Sequence, residues 1–261
     1  MYFVGNKFST LAKDFITEQL KQRFKDRESF SRDELLDFYR RFEPDLKETT
    51  FRWRIYQLKT KNIIRHLSRS EFTLSYKPSF RIALEDSERR VFLKIRKEFT
   101  DLKFCVWSTS VLNQFMLHLS DRAIILIEVE KEALSPVFNF LKDEGTKDLY
   151  IQPEEKDFDF YISEKKNPLI LKTLISKAPL QTIRKITVPT IEKIIVDIFS
   201  EPQLFRSFQG SEFHHVVNNI YHKYAIDFTK LFGYALRRGR EEDLMDYLSN
   251  NTDIPKILLN D

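Results

Sequence analysis

The 23 residues from 47 to 69 hold seven cationic side chains, one acid, Glu48, and the large aromatics Trp53 and Tyr56. Cations neutralise phosphates and aromatic rings pack on sugars and bases, so this mixture suits a nucleic acid. A face that merely meets water would carry the charges without the rings.

Other reactive side chains are scattered. The stretch "EVEK" places Glu128 and Glu130 two apart on a strand, hence on one face, which is how a metal-dependent nuclease would gather oxygen ligands around a cation. The acidic-x-lysine ending of such enzymes needs an acid where this chain has Val129, so Glu128 and Glu130 read as exposed carboxylates. Metal chelation by the pair is the enzymatic alternative. "WSTS" followed by two acids in one strand suggests a nucleotidyltransferase, but the Gly-Ser that cradles the triphosphate there is missing. No glycine lies between Gly5 and Gly145, which excludes phosphate-loop and dinucleotide fingerprints from the first half. His214 and His215 are neighbours on a helix and point about 100° apart, so they do not share an ion; with His222 they read as surface or capping groups. Ser108 and Ser110 have no base within their motif. Glu192 and Asp197 are five apart and do not share a helical face, so Asp197 reads as ordering a neighbouring loop. The reading is a chain without enzymatic activity, cofactor or metal.

The elements that position the basic stretch follow from periodicity. Residues 9–25 place Leu11, Phe15, Leu20 and Phe24 near helical spacing, with Ser9 or Thr10 as the cap. A second helix opens at Ser31 with Glu34 three residues on, the reciprocal capping pattern, and stops before Pro44. A third, 49–61, turns Phe51, Ile55 and Leu58 to one side and Thr49, Arg52, Trp53, Tyr56 and Lys59 to the other. "IIRHLSRSEFTLS" then alternates about a turn at 68–71, as a short hairpin does. Three helices and a two-stranded wing make a winged helix-turn-helix, whose third helix enters the major groove. Arg52 and Lys59 are then candidates for base or phosphate contact, Thr49 and Thr50 for phosphate at the helix start, and Arg65 and Arg69 for wing contacts.

The fold class is α+β, with a winged helix over 1–77 followed at Pro78 by a mixed α/β domain over 78–261. Its sequence predicts a helix at 85–99, a buried strand at "LKFCVWS", the clearest strand at "RAIILIEVE", a helix ending at Gly145, and short strands at "DLYIQ", "DFDFYI" and "LILKTLI". A helical C-terminal segment follows, with Pro189 in a first helical turn.

Charge separates the same two parts. Residues 1–77 carry 17 Lys and Arg against 11 Asp and Glu, a net of +6, and residues 78–261 carry 26 against 28, a net of −2. A polyanion is therefore expected to meet the first part alone. One cysteine, Cys105, excludes an internal disulfide and a cysteine-based zinc cluster, and reads as a small buried hydrophobe. No apolar run reaches the roughly 20 residues that span a bilayer, and "MYFVGNKFSTLAK" lacks the pattern of a signal peptide, so no membrane association and a cytoplasmic location are expected.

Three stretches resemble the AbiE-type abortive-infection antitoxins. "TTFRWRIYQLKTKNIIRHLSRSEFTL" is similar to their N-terminal DNA-binding module. "VPTIEKIIVDIFSEP" resembles their serine-or-threonine, x, glutamate, apolar, aspartate element, and "KLFGYALRRGREEDLMDYL" resembles the helix closing their C-terminal domain. The resemblance implies a transcriptional autoregulator and antitoxin of a type IV toxin-antitoxin system. Its winged helix would bind double-stranded DNA at an operator upstream of its own operon, through Thr50, Arg52, Tyr56, Arg65 and Arg69. Its larger domain, to whose element Glu192 and Asp197 correspond, would counteract a nucleotidyltransferase-type toxin with or without a stable complex. The family's wing turn commonly bears glycine, whereas here it reads Ser-Arg-Ser-Glu, and Glu71 is expected to repel phosphate. A protein-interaction adaptor, whose winged helix binds another protein, is the non-enzymatic alternative.

Overall fold

A reciprocal cap organises the N-terminal part. The Ser31 hydroxyl accepts from the Glu34 N–H at 3.1 Å, and the Glu34 carboxylate accepts from the Ser31 N–H at 2.8 Å. Two of the donors left open at a helix start are thereby satisfied, which fixes where helix α2 (Arg32–Arg40) begins. Arg27 grips the same carboxylate at 2.5 Å and, with the cap, holds its pKa below the ordinary value.

The computed structural model describes residues 5–61, 63–68, 70–74, 77–117 and 122–259, with residues 5–14 and 257 as backbone only. It is an α+β chain that divides into two units. One runs to Lys77 and takes in Asp227–Thr229; the other comprises Pro78–Ile226 and Lys230–Leu259.

The first unit has the element order of a winged helix: α1 (Gly5–Phe24), β1 (Phe30–Ser31), α2, α3 (Glu48–Thr60), β2 (Arg65–His66) and β3 (Glu71–Thr73). The strands form one antiparallel sheet in the order β1-β3-β2, with Phe30 opposite Phe72 and His66 opposite Phe72 on the other side. Sheet and helices close on Leu20, Phe24, Phe30, Leu35, Phe51, Leu58 and Phe72, all nearly inaccessible. Phe24 stacks on Phe30 at 4.0 Å between centroids. Helix α1 begins a turn ahead of the expected cap, so Ser9 and Thr10 lie within it, and Phe15 faces solvent.

In the second unit α4 (Asp86–Glu98) precedes a four-stranded sheet of β4 (Phe104–Ser108), β5 (Ile125–Val129), β6 (Leu149–Ile151) and β7 (Leu169–Thr173). Its order is β4-β5-β7-β6, with β4 antiparallel to β5, and β5, β7 and β6 mutually parallel. Helix α5 (Leu134–Asp143) makes the crossover from β5 to β6, as parallel pairing requires. The "DFDFYI" stretch is not a strand. It continues the short helix α6 (Glu155–Asp157) as a π-helical turn, Phe158–Ile162. A cap formed by Glu154 and Asp157 starts it, and Phe158 and Ile162, four apart, supply one buried helical face. Alternation in the sequence had concealed that spacing.

A hairpin that the sequence did not disclose follows, β8 (Leu180–Ile183) with β9 (Ile186–Pro189). Pro189 thus ends a strand rather than starting a helix; at a strand terminus its missing N–H breaks no ladder. Helix α7 (Ile191–Ser200) comes next, then α8 (Ser211–Lys223), α9 (Phe228–Arg237) and α10 (Glu241–Asn251). No described helix is long and apolar enough to cross a membrane.

Candidate nucleic-acid interface and a buried ion cluster

Helix α3 is two-sided. Phe51 and Leu58 are buried in the first unit and Ile55 packs against them, which sends residues 49, 52, 56 and 59 outward. Trp53 is 52% exposed and Tyr56 63%, high values for such large rings, and Arg52, Thr49 and Lys59 are also exposed. Thr50 is half-buried.

The helix start carries an acid, which would repel phosphate unless neutralised. Glu48 is matched twice, by Arg32 and by Arg52 at 3.0 Å, and the Arg52 hydrogen bond leads the influences that lower its pKa. Arg52 is 74% exposed in this pair, so water already competes for it and the guanidinium is available to exchange partners.

The wing differs from expectation. Arg65 is half-buried and donates to the Lys77 carbonyl at 2.5 Å, bracing the end of the unit. Glu71, expected to repel phosphate, is buried at 6% and lies within the sheet, so its charge is withdrawn from the wing surface. Arg69 lies outside the described residues.

Beside this face, Trp53, Arg54 and Gln57 of α3 and Lys61 just after it wall a cavity of about 180 Å³ with Ile16 of α1 and Tyr39 of α2. The Arg54 guanidinium sits 4.9 Å from the centre of the Tyr39 ring and pairs with Glu43. Burial pushes the Tyr39 hydroxyl up to about 12, against the opposing pull of Arg54.

The second unit holds a different kind of site. Glu128, read from the sequence as exposed, is 1% exposed and points into the core from β5. Its carboxylate accepts from Lys193 at 2.6 and 2.8 Å and from the Trp107 indole at 3.1 Å. Lys193, on α7, which is buried from Ile191 to Ile198, is fully enclosed and also pairs with Asp197 one turn on. Asp197 accepts from the Tyr234 hydroxyl at 2.9 Å and lies 3.6 Å from Arg238. It therefore binds a core lysine rather than ordering a loop. Glu201 extends the chain of ions outward, accepting from Arg238 at 2.7 Å and from Lys172 at 2.5 Å.

Enclosure would drive each of these charges towards neutrality, and the partners prevent it. Burial opposes the charge on Lys193, but Asp197 and Glu128 outweigh it and hold the ammonium well above its usual pKa. Burial likewise opposes ionisation of Asp197, and Lys193, Lys172 and Arg238 outweigh it, holding the carboxyl below its usual value. Cys105 lies in the same core, fully buried, and desolvation, then the Glu128 charge, pushes its thiol well up.

This arrangement removes the geometry of the chelation reading. Glu128 is saturated by Lys193 and Trp107, while Glu130 falls beyond the end of β5 on the surface, so the two do not converge. Among the described residues no three His, Cys, Asp or Glu side chains are grouped to hold a metal ion. Glu192, beside Lys193 on α7, is also buried. His222 pairs with Asp253 at 2.9 Å, and the His214 and His215 rings lie against each other. The Ser108 hydroxyl accepts from the Ser110 N–H, a local cap.

The model of a "Family of unknown function (DUF6577)" matches residues 50–254, from the first turn of α3 almost to the C-terminus. The chain belongs to that family. The matched region includes both the exposed α3 face and every member of the ion cluster, so the two features fall within one family-defining sequence. No curated protein matches the chain.

Lys193, Lys172, Glu201, Tyr234 and Arg238 carry no motif that marks them as site residues, and only Lys193 has a local signal. The available signal was a lysine in the otherwise apolar run "IEKIIVDIF" with an acid four residues later: a charge on an all-buried helix must have a partner.

Proposed function

We propose that the chain is a DNA-binding transcriptional autoregulator whose first unit docks α3 in the major groove. The observation that carries this reading is the exposed set Arg52, Trp53, Tyr56 and Lys59 opposite the buried Phe51 and Leu58. An outward face that held only charges would be explained by solvation; two large rings half or more exposed to water at i and i+3 are not. Thr49 and Thr50 then reach phosphates at the helix start, with Arg65 and Arg69 on the wing side.

The second unit is assigned the antitoxin role of a cytoplasmic type IV system, acting against a nucleotidyltransferase-type toxin and not itself catalysing a reaction. Support comes from the AbiE-like element at 188–202, which contributes Lys193 and Asp197 to the core. A stable complex with the toxin is not required.

Both halves have a direct test. In a mobility-shift assay the protein should retard DNA from upstream of its own operon in preference to a scrambled duplex, and co-expression should restore growth arrested by a nucleotidyltransferase encoded beside it. Equal retardation of both duplexes would remove the operator reading, and unrelieved arrest would remove the antitoxin reading.

A further inference from the structure

A cavity of about 460 Å³ in the second unit opens where the parallel strands β6 and β7 end. Gln152 and Pro153 follow β6; Lys172, Thr173 and Ile175 lie at or beyond the end of β7. Open α/β sheets bind ligands outside the carboxyl ends of their parallel strands, because the connecting chain leaves room there. The volume lies within the range of small-molecule sites.

Three further observations mark this cleft as built. First, its polar wall is the outer layer of the ion cluster. Lys172, Arg238 and Glu201 carry a net charge of +1 and are held to each other at 2.5 and 2.7 Å, with side chains at most 22% exposed. The inner layer, Lys193, Glu128 and Asp197, carries −1 and is anchored in the core. Second, the Ser200 hydroxyl, which also lines the cleft, is enclosed and makes no hydrogen bond. A buried hydroxyl without a partner costs the fold free energy at this wall. Third, Gln152 has φ of 41°, a left-handed conformation that a side-chain-bearing residue adopts at a cost, and it is held there by its N–H bond to the Leu171 carbonyl at 2.8 Å.

Apart from Thr173 and Gln203 the remaining wall is apolar: Pro153, Phe158, Ile170, Ile175, Pro202 and Leu204. A ligand matching both walls has a flat, weakly polar ring at one end and a compact anion at the other. From this combination we infer that the cleft binds a nucleoside phosphate, its phosphate on Lys172 and Arg238 and its base against the apolar wall. Arg238 retains donors beyond those given to Glu201 and Asp197, and Lys172 a third, so a phosphate can bind without breaking the cluster. The site is separate from the α3 surface and does not depend on that surface binding DNA.

Calorimetry on the full chain with adenosine monophosphate, guanosine monophosphate, adenosine and inorganic phosphate tests this. A nucleoside monophosphate should bind at least tenfold more tightly than adenosine or phosphate alone, and Lys172→Gln should weaken it at least tenfold. Because Lys172 belongs to the ion cluster, Thr173→Trp serves as a second variant: it fills the cleft from outside the cluster, and should abolish binding while leaving the thermal midpoint within a few degrees. No heat from any nucleotide at millimolar concentration, phosphate binding as tight as the nucleotides, or affinity unchanged in folded Thr173→Trp would each overturn the assignment.

Discussion

At the residue scale, function follows from what single side chains face. Arg52 and Lys59 are exposed on the same α3 surface, so replacing either by alanine removes a cation from the proposed DNA contact without opening the core. Each substitution should weaken binding and reduce the slope of log affinity against log salt by about one unit if it removes one phosphate contact. Titrations at several salt concentrations measure both quantities, and unchanged values would take α3 out of the interface. Cys105 makes an opposite case. Its thiol is enclosed and pushed up in pKa, so alkylation by iodoacetamide near pH 8 should be slow in the folded chain and fast in urea. Equal rates would contradict the enclosed core. The exposures of α3 were legible in the sequence because they follow from helical period alone. That Glu128 is buried was not, since its alternating neighbours fit a half-exposed strand as well as a buried one and the deciding partner, Lys193, is 65 residues away.

At the element scale, caps and ion pairs decide where helices begin and what they tolerate. Ser31→Ala removes the side-chain acceptor at the start of α2 and should lower the stability of the first unit by about 1 kcal/mol, read from urea unfolding. A far larger effect is expected on α7. Lys193→Met leaves Glu128 and Asp197 as enclosed acids without their ammonium and should destabilise the second unit by about 3–5 kcal/mol. Replacing all three by apolar residues of similar volume should restore most of that loss, because desolvation of the ions disappears with them. The pH dependence has a definite sign. Asp197 has a lowered native pKa, so its contribution is full above about pH 4 and is lost as pH falls through the native value. Lys193 has a raised one, so its contribution is full below about pH 10 and is lost only as pH rises through the native value. Unfolding midpoints should therefore fall on the acid side, and less so in the triple replacement. Of these elements, α2 announced itself through Ser31 and Glu34, three residues apart. The turn at Phe158–Ile162 and the β8–β9 hairpin did not, since a short alternating run fits strand and helix alike until its neighbours select one.

At the scale of the whole molecule, charge and chemistry are partitioned. The basic excess lies in the first 77 residues, where α3 shows its rings and cations, and the remainder, near neutrality, encloses one cluster of paired ions in its core. The winged helix was legible because every step, from cap to period to hairpin, is local. The ion cluster and the cleft beside it were not, because they join β5, β7, α7 and Arg238 beyond α9, which only the folded sheet brings together. The central claim, that α3 reads DNA, is tested most directly by fluorescence anisotropy of the full chain against its upstream duplex and a scrambled one at three salt concentrations, with the Arg52→Ala, Lys59→Ala double variant alongside. DNA docking through α3 gives preference for the upstream duplex, a steep salt dependence, and a slope shallower by about two units in the variant. Equal, weak binding to both duplexes, unaltered by the double substitution, would contradict it.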